Sequence, residues 1–143
     1  MSTYLKNQAK LFSKNIPSKP GIYIAQPIGS RMRVIDKNRA DIMPSVNENY
    51  IKVGKALDFS KRSRNYFIDN DGDVKFEPII FMEDYSPNQL KELESMLKKA
   101  FINFRMINPK TNRKLEWMVN ISYEDTVRVI NKVFKEFKEK GEN

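Results

Sequence analysis

A chain of 143 residues, 40% hydrophobic and 31% charged, has the balance of a globular protein with a single core and leaves no length for a catalytic domain joined to a large recognition domain. It contains no cysteine and no histidine, which excludes disulfides, thiolate or imidazole metal sites, cysteine nucleophiles and histidine general bases, so any metal must sit on oxygen ligands. Lys and Arg number 26 against 18 Asp and Glu, a net charge of +8, distributed as 13 basic and 4 acidic residues over 1–67, 1 and 6 over 68–85, and 12 and 8 over 86–143.

Residues 2–15 set Tyr4, Leu5, Leu11 and Phe12 among Lys and Asn, a short helix or an arm closed by Pro17 and Pro20. Gly21, Ile22, Tyr23, Ile24 and Ala25, between Pro20 and Pro27, predict a strand. Residues 26–49 read as irregular, with one extended piece at 32–35. A second strand over 50–54 puts Tyr50, Lys52 and Gly54 on one face and Ile51 and Val53 on the other. Asp58 is the expected cap of a short helix over 59–67. The run Asp69, Asn70, Asp71, Gly72, Asp73 looks like a calcium loop. Its Gly stands fourth instead of sixth and no closing Glu follows, so it reads as a β-turn. A third strand follows over 74–83, where Pro78 favours an edge.

Ser86, Pro87 and Gln89 give a helix start: a Ser cap, Pro at the first helical position, and Gln three residues after the cap. This helix is expected to run to about Arg105, with Leu90, Leu93, Leu97, Ala100, Phe101 and Phe104 as its core-facing stripe. Glu94 falls on the border of the stripe, where a carboxylate needs solvent or a cation, and a metal would serve. A turn at 108–113 leads to an extended or irregular piece over 115–121 that carries Trp117. Ser122 and Asp125 open a final helix whose Val127, Ile130, Val133, Phe134 and Phe137 form a stripe for the core or for a partner. No run is long and apolar enough to span a membrane, and residues 1–10 are too polar for a signal peptide, so a soluble, cytoplasmic protein with no membrane partner is expected. The cationic balance suits a polyanion such as DNA through counterion release, or simply a solvated basic surface.

Gly21-Ile22-Tyr23, then Val53-Gly54-Lys55-Ala56 at a strand end, Arg62 and Tyr66 on a helix and Glu94 on a later helix together resemble, in order and spacing, the GIY-YIG nuclease superfamily. The likeness is closest over 53–67, which is similar to the nuclease domain of the excision-repair incision enzyme and to phage homing endonucleases. Leu93-Glu94, Phe104-Arg105 and Glu116-Trp117 resemble a branch common in phages and large viruses, and the likeness covers roughly residues 20–118. It implies an α/β (α+β) fold, a small three-stranded antiparallel sheet flanked by helices, that hydrolyses DNA phosphodiester bonds with one divalent cation, Mg2+ or Mn2+, and no small-molecule cofactor. By the same resemblance Arg62 stabilises charge on the scissile phosphate, Glu94 holds the metal and Lys55 lies beside the site. A guanidinium suits the first role because it offers forked donors and keeps its charge. A hard cation on a carboxylate suits the second. Tyr66 stands four residues from Arg62 on the same helix face, and nearby cations are expected to lower its pKa from about 10 and make it a better proton acceptor.

Two departures from the family pattern stand out. Lys52 occupies the position of the second motif tyrosine, with Tyr50 two residues further back on the same face, so Lys52, Tyr23 or Tyr66 must take the proton or activity is weak. The connection from Tyr23 to Tyr50 is long, and its Arg31, Arg33, Lys37 and Arg39, with Lys61 and Arg64 on the helix, are candidate DNA contacts; the alternative is a basic loop without that role. The expected organisation is an arm or short helix over 1–19, a nuclease-like domain over 20–118 with an insertion at 26–49, and a helix over 119–143 packed on that domain. The leading expectation is a metal-dependent DNA endonuclease, nicking or cutting both strands. The alternatives are a catalytically weak or inactive nucleic-acid-binding module of the same fold and an assembly protein using the last helix. A homodimer would lengthen the footprint of an enzyme this small.

Overall fold

The computed structural model describes residues 3–34 and 44–141. Their elements are α1 (Thr3–Ser13), β1 (Gly21–Pro27), β2 (Arg33–Val34), β3 (Ser45–Val46), β4 (Tyr50–Ala56), α2 (Phe59–Asp69), β5 (Val74–Phe81), α3 (Pro87–Ala100), β6 (Arg105–Ile107), β7 (Lys114–Val119) and α4 (Tyr123–Gly141). Five strands form one antiparallel sheet in the order β5-β1-β4-β7-β6, and β2 pairs with β3 as a separate two-stranded ribbon.

Strand β1 is buried on both faces, which is why Ile22, Tyr23, Ile24 and Ala25 are apolar without interruption. Alternation sends Ile22 and Ile24 into a core with Ile51, Met118, Leu90, Leu93, Leu97 and the α4 stripe Ile130, Val133 and Phe137. Tyr23 and Ala25 face the other way, into a core with Phe59, Tyr66, Phe76 and Trp117, on which α1 lays Phe12. Helices therefore cover both faces of the sheet, α3 and α4 on one side and α1 and α2 on the other. Gly21 opens β1 because a Cβ there would lie 1.9 Å from the Ile80 carbonyl oxygen and 2.6 Å from Phe59 Cζ.

The caps form as expected. Asp58 accepts from the Lys61 backbone N–H at 3.2 Å, Ser86 and Gln89 make a reciprocal capping box, and the Asp125 backbone N–H donates to Ser122 Oγ at 3.0 Å. The acidic run closes a turn in which Asp71 and Gly72 take φ of 52° and 91°. Pro78 lies on β5, which is an edge strand.

The expected three-stranded sheet is corrected to five. The helix expected to reach Arg105 ends at Ala100, where the Phe101 backbone N–H closes on the Leu97 carbonyl, and Phe104 lies in the turn that follows. Arg105 starts β6 instead, its Nε donating to the Leu115 carbonyl at 2.7 Å, and Asn112 at φ 57° helps turn the chain into β7. The turn at 108–113 is thus the tip of a hairpin that widens the sheet by two strands. Ala100, assigned to the core stripe, is exposed. Among the described residues no helix is long and apolar enough to cross a membrane.

Candidate functional site

The β1/β4 register sets Tyr23 opposite Gly54. A Cβ on residue 54 would meet the Tyr23 hydroxyl at 2.5 Å, so glycine is required for the ring to lie across the strand. Tyr23 stacks on Phe76 with ring centroids 4.7 Å apart and meets Tyr66 of α2 hydroxyl to hydroxyl at 2.6 Å. Both phenols are buried. Arg62, one turn before Tyr66, is exposed; among the described residues nothing pairs with its guanidinium. Arg62, Tyr66, Lys52, Asp69, Asn70 and Trp117 are among the residues that line one cavity of about 120 Å³, and Lys52 Nζ stands 5.3 Å from the centre of the Tyr66 ring.

The expected lowering of the Tyr66 pKa is corrected. Desolvation by burial raises it well above the ordinary phenol value and outweighs the pull of Arg62 and of the Tyr23 hydrogen bond. Burial likewise raises Tyr23, its neighbour Tyr66 adds to the effect, and Lys52 and Arg62 only partly oppose it. Both rings are neutral phenols at physiological pH.

A second cluster lies on the α3 side of the sheet. Pairing between β4 and β7 stops at Lys52↔Trp117, and beyond that point the described strands splay. The resulting narrow cleft, about 10 Å³, is lined by Gly54, Glu94, Lys98, Arg105, Glu116 and apolar neighbours including Leu97 and Met118. That volume is close to the smallest that holds one water. Glu94 Oε1 lies 3.6 Å from Lys98 Nζ and 3.9 Å from Lys55 Nζ. Glu116 takes Lys98 on one oxygen at 3.1 Å and Lys52 on the other at 3.5 Å. Burial raises the Glu116 carboxyl, but Lys52 and Lys98 together outweigh it and hold the group below the usual carboxylate range.

The two clusters are one network, running from Tyr23 and Tyr66 past Lys52 to Glu116, Lys98, Glu94 and Lys55. Gly54 is the wall between them, since it touches Tyr23 on one face and lines the Glu94 cleft on the other. Tyr23, Lys52, Lys55, Arg62, Tyr66 and Glu94 stand out in the sequence, whereas Lys98 and Glu116 have no role assigned there. Lys98 was legible as the residue four after Glu94 on one helix. Glu116 was not, because its partners depend on the register between β4 and β7.

The other named cations divide. Lys61 is exposed and Arg31 is exposed beside Asp71 at 3.3 Å. Arg33 is buried, with its guanidinium 3.0 Å from Asp73, and Arg64 reaches Ser13 and Ser60 hydroxyls at 3.4 Å between α1 and α2. Lys37 and Arg39 lie outside the described residues.

Glu94 offers a hard oxygen donor of the kind Mg2+ and Mn2+ take, and its ion pairs with Lys55 and Lys98 both fall on Oε1. Mg2+ commonly binds through one or two carboxylates completed by water and substrate phosphate, so the donor set fits such an ion; no group of three or more acidic side chains occurs among the described residues.

This combination is an α+β domain with a phenol pair, an exposed guanidinium and a lysine-bridged pair of carboxylates at the centre of its sheet. The chain belongs to the T5orf172 domain family, whose model matches residues 22–137. The domain is found in phage-related nuclease-like proteins, which points to a nuclease or nucleic-acid-binding role with DNA as the partner. No curated protein and no solved structure matches the chain.

Proposed function

We propose that the protein is a divalent-metal-dependent DNA endonuclease, of the kind its GIY-YIG-like motif order describes. The observation that carries the reading is the convergence of Arg62, Lys52 and Tyr66 on one cavity, with Tyr23 buried behind Tyr66 and bonded to its hydroxyl. Arg62 binds a non-bridging phosphate oxygen and stabilises the charge that grows there. Lys52, held between the Tyr66 ring and Glu116, adds a second positive charge. The neutral Tyr66 phenol, on the cavity wall, orients the phosphate or the attacking water through a hydrogen bond, and Tyr23 behind it fixes the direction of the Tyr66 hydroxyl. Glu94 would hold the Mg2+ or Mn2+ ion, which when bound supplies Lewis-acid stabilisation of the phosphate and the leaving oxygen. Lys55 stays beside Glu94, and the exposed Arg31 and Lys61 contact the DNA backbone.

A nucleic-acid-binding module without turnover is the second reading. It is favoured by the raised phenol pKa values and by Lys52 in the place of a motif tyrosine, which take both phenols and the second motif position out of the role of proton acceptor. A supercoiled-plasmid assay separates the two. The endonuclease reading expects Mg2+-dependent nicked or linear product, reduced by Arg62→Ala roughly 10²-fold or more, as for removal of a transition-state donor, and abolished by Glu94→Gln. Cleavage that survives both substitutions sinks this assignment, and salt-sensitive DNA binding with no product at any pH supports the module.

A further inference from the structure

Glu94 is only partly exposed and its Oε1 already faces two ammonium groups, Lys98 at 3.6 Å and Lys55 at 3.9 Å. A divalent cation approaching that oxygen meets positive charge before it meets the carboxylate. Lys98 cannot diffuse away, because it sits one turn along the same helix, yet its side chain is 40% exposed and has room to swing. Its shorter contact is with Glu116 at 3.1 Å, and Glu116 is itself fixed from the other side by Lys52.

Resting on the reading of Glu94 as the metal residue, we infer that Lys98 is an internal counter-cation that competes with the metal for Glu94, and that Glu116 sets the competition by drawing Lys98 aside. In the free protein the lysines neutralise Glu94 and metal affinity is low. When Lys98 turns fully to Glu116, Glu94 is released. A DNA phosphate entering beside Lys52 and Lys98 brings negative charge that favours the same state, so metal and DNA bind with positive coupling, each strengthening the other. Glu116 is in this scheme a positioning residue, acting on Glu94 only through Lys98.

The test is Mn2+ titration of the free, full-length protein followed by electron paramagnetic resonance, which reads metal affinity without turnover. Lys98→Met is expected to tighten Mn2+ binding by about tenfold, since one neighbouring positive charge is removed. Glu116→Gln keeps the side chain's shape, leaves Lys98 with Glu94 as its carboxylate partner among the described residues, and is expected to weaken binding. The double variant is expected to bind like Lys98→Met, because Glu116 has nothing left to position. A double variant as weak as Glu116→Gln would make Glu116 a metal ligand and overturn its positioning role. Unchanged affinity in Lys98→Met overturns the counter-cation. Mn2+ binding that persists unaltered in Glu94→Gln, or is absent from every variant, removes the metal from Glu94 and takes down the underlying reading as well.

Discussion

A methyl group at position 54 would stand 2.5 Å from the Tyr23 hydroxyl oxygen and 2.7 Å from its Cζ. The ring cannot retreat, because Phe76 stacks on its far side and Tyr66 holds the hydroxyl. Gly54→Ala is therefore expected to destabilise the fold by about 1–3 kcal/mol, the usual cost of overpacking, read as a lower urea midpoint with an unchanged slope. An unaltered midpoint would mean that Tyr23 does not lie against the strand. The raised phenols give a second expectation at this scale. Below about pH 10 both states keep these protons, so the stability contribution is constant; above it the unfolded chain loses protons that folded Tyr23 and Tyr66 retain, and stability falls as pH rises. Urea melts between roughly pH 9 and pH 11 should show a steeper alkaline loss in the wild type than in the Tyr23→Phe and Tyr66→Phe double variant. Equal slopes would place the phenols in water. At the residue level the close approach that requires glycine at position 54 is set by Tyr23 across the β1/β4 register, whereas the motif letters were readable from their order and spacing along the chain. The protonation of Tyr66 was not, since the decisive cause is burial among Tyr23, Phe76 and Trp117, residues distant in the chain.

Helix α3 carries both Glu94 and Lys98, so its start fixes where they stand. Ser86 accepts from the Gln89 backbone N–H at 3.2 Å while Gln89 Oε1 accepts from the Ser86 backbone N–H at 2.8 Å. Ser86→Ala removes one half of this box and should cost about 1 kcal/mol, measurable by thermal melting. The β2–β3 ribbon is tethered differently, through the buried Arg33 to Asp73 at the start of β5. Asp73→Ala strands a buried guanidinium; because Asp73 itself is 61% exposed, the loss should be about 1–2 kcal/mol rather than the larger figure for a fully buried pair. No loss of stability would mean that Arg33 finds water or another acceptor. Caps and the Pro78 edge were legible because they depend on a few consecutive residues. The end of α3 was not: Phe101 and Phe104 continue the helical spacing, and only the hairpin contacts of Arg105 with Leu115 show why the chain leaves the helix. That same hairpin brings Glu116 to Lys52 and Lys98, so the misread boundary and the unread partners of Glu116 have one cause.

Across the whole molecule, the uneven charge of the chain is partly closed in space. The acidic stretch over 68–85 supplies Asp71 and Asp73, which pair with Arg31 and Arg33, so those basic residues contribute less free charge than the count implies. Among the described residues Arg62 at the cavity and Lys61 next to it on α2 are exposed, with Lys52 and Lys55 held by Glu116 and Glu94 at distances of 3.5 and 3.9 Å that a phosphate can compete for. If these groups engage about four phosphates, log affinity for duplex DNA should fall against log salt with a slope of about −3.6, or on the order of 10²-fold between about 50 and 200 mM. Arg62→Ala should flatten that slope by about one unit, because it removes one phosphate contact outright. Arg33→Ala should leave the slope nearly unchanged while lowering stability, since its guanidinium is already engaged within the fold. Fluorescence anisotropy with a labelled duplex, run over that salt range on the wild type and both variants, reads all three slopes. A slope near zero, or one that Arg33→Ala changes and Arg62→Ala does not, would move the DNA surface away from the cavity to another face of the molecule.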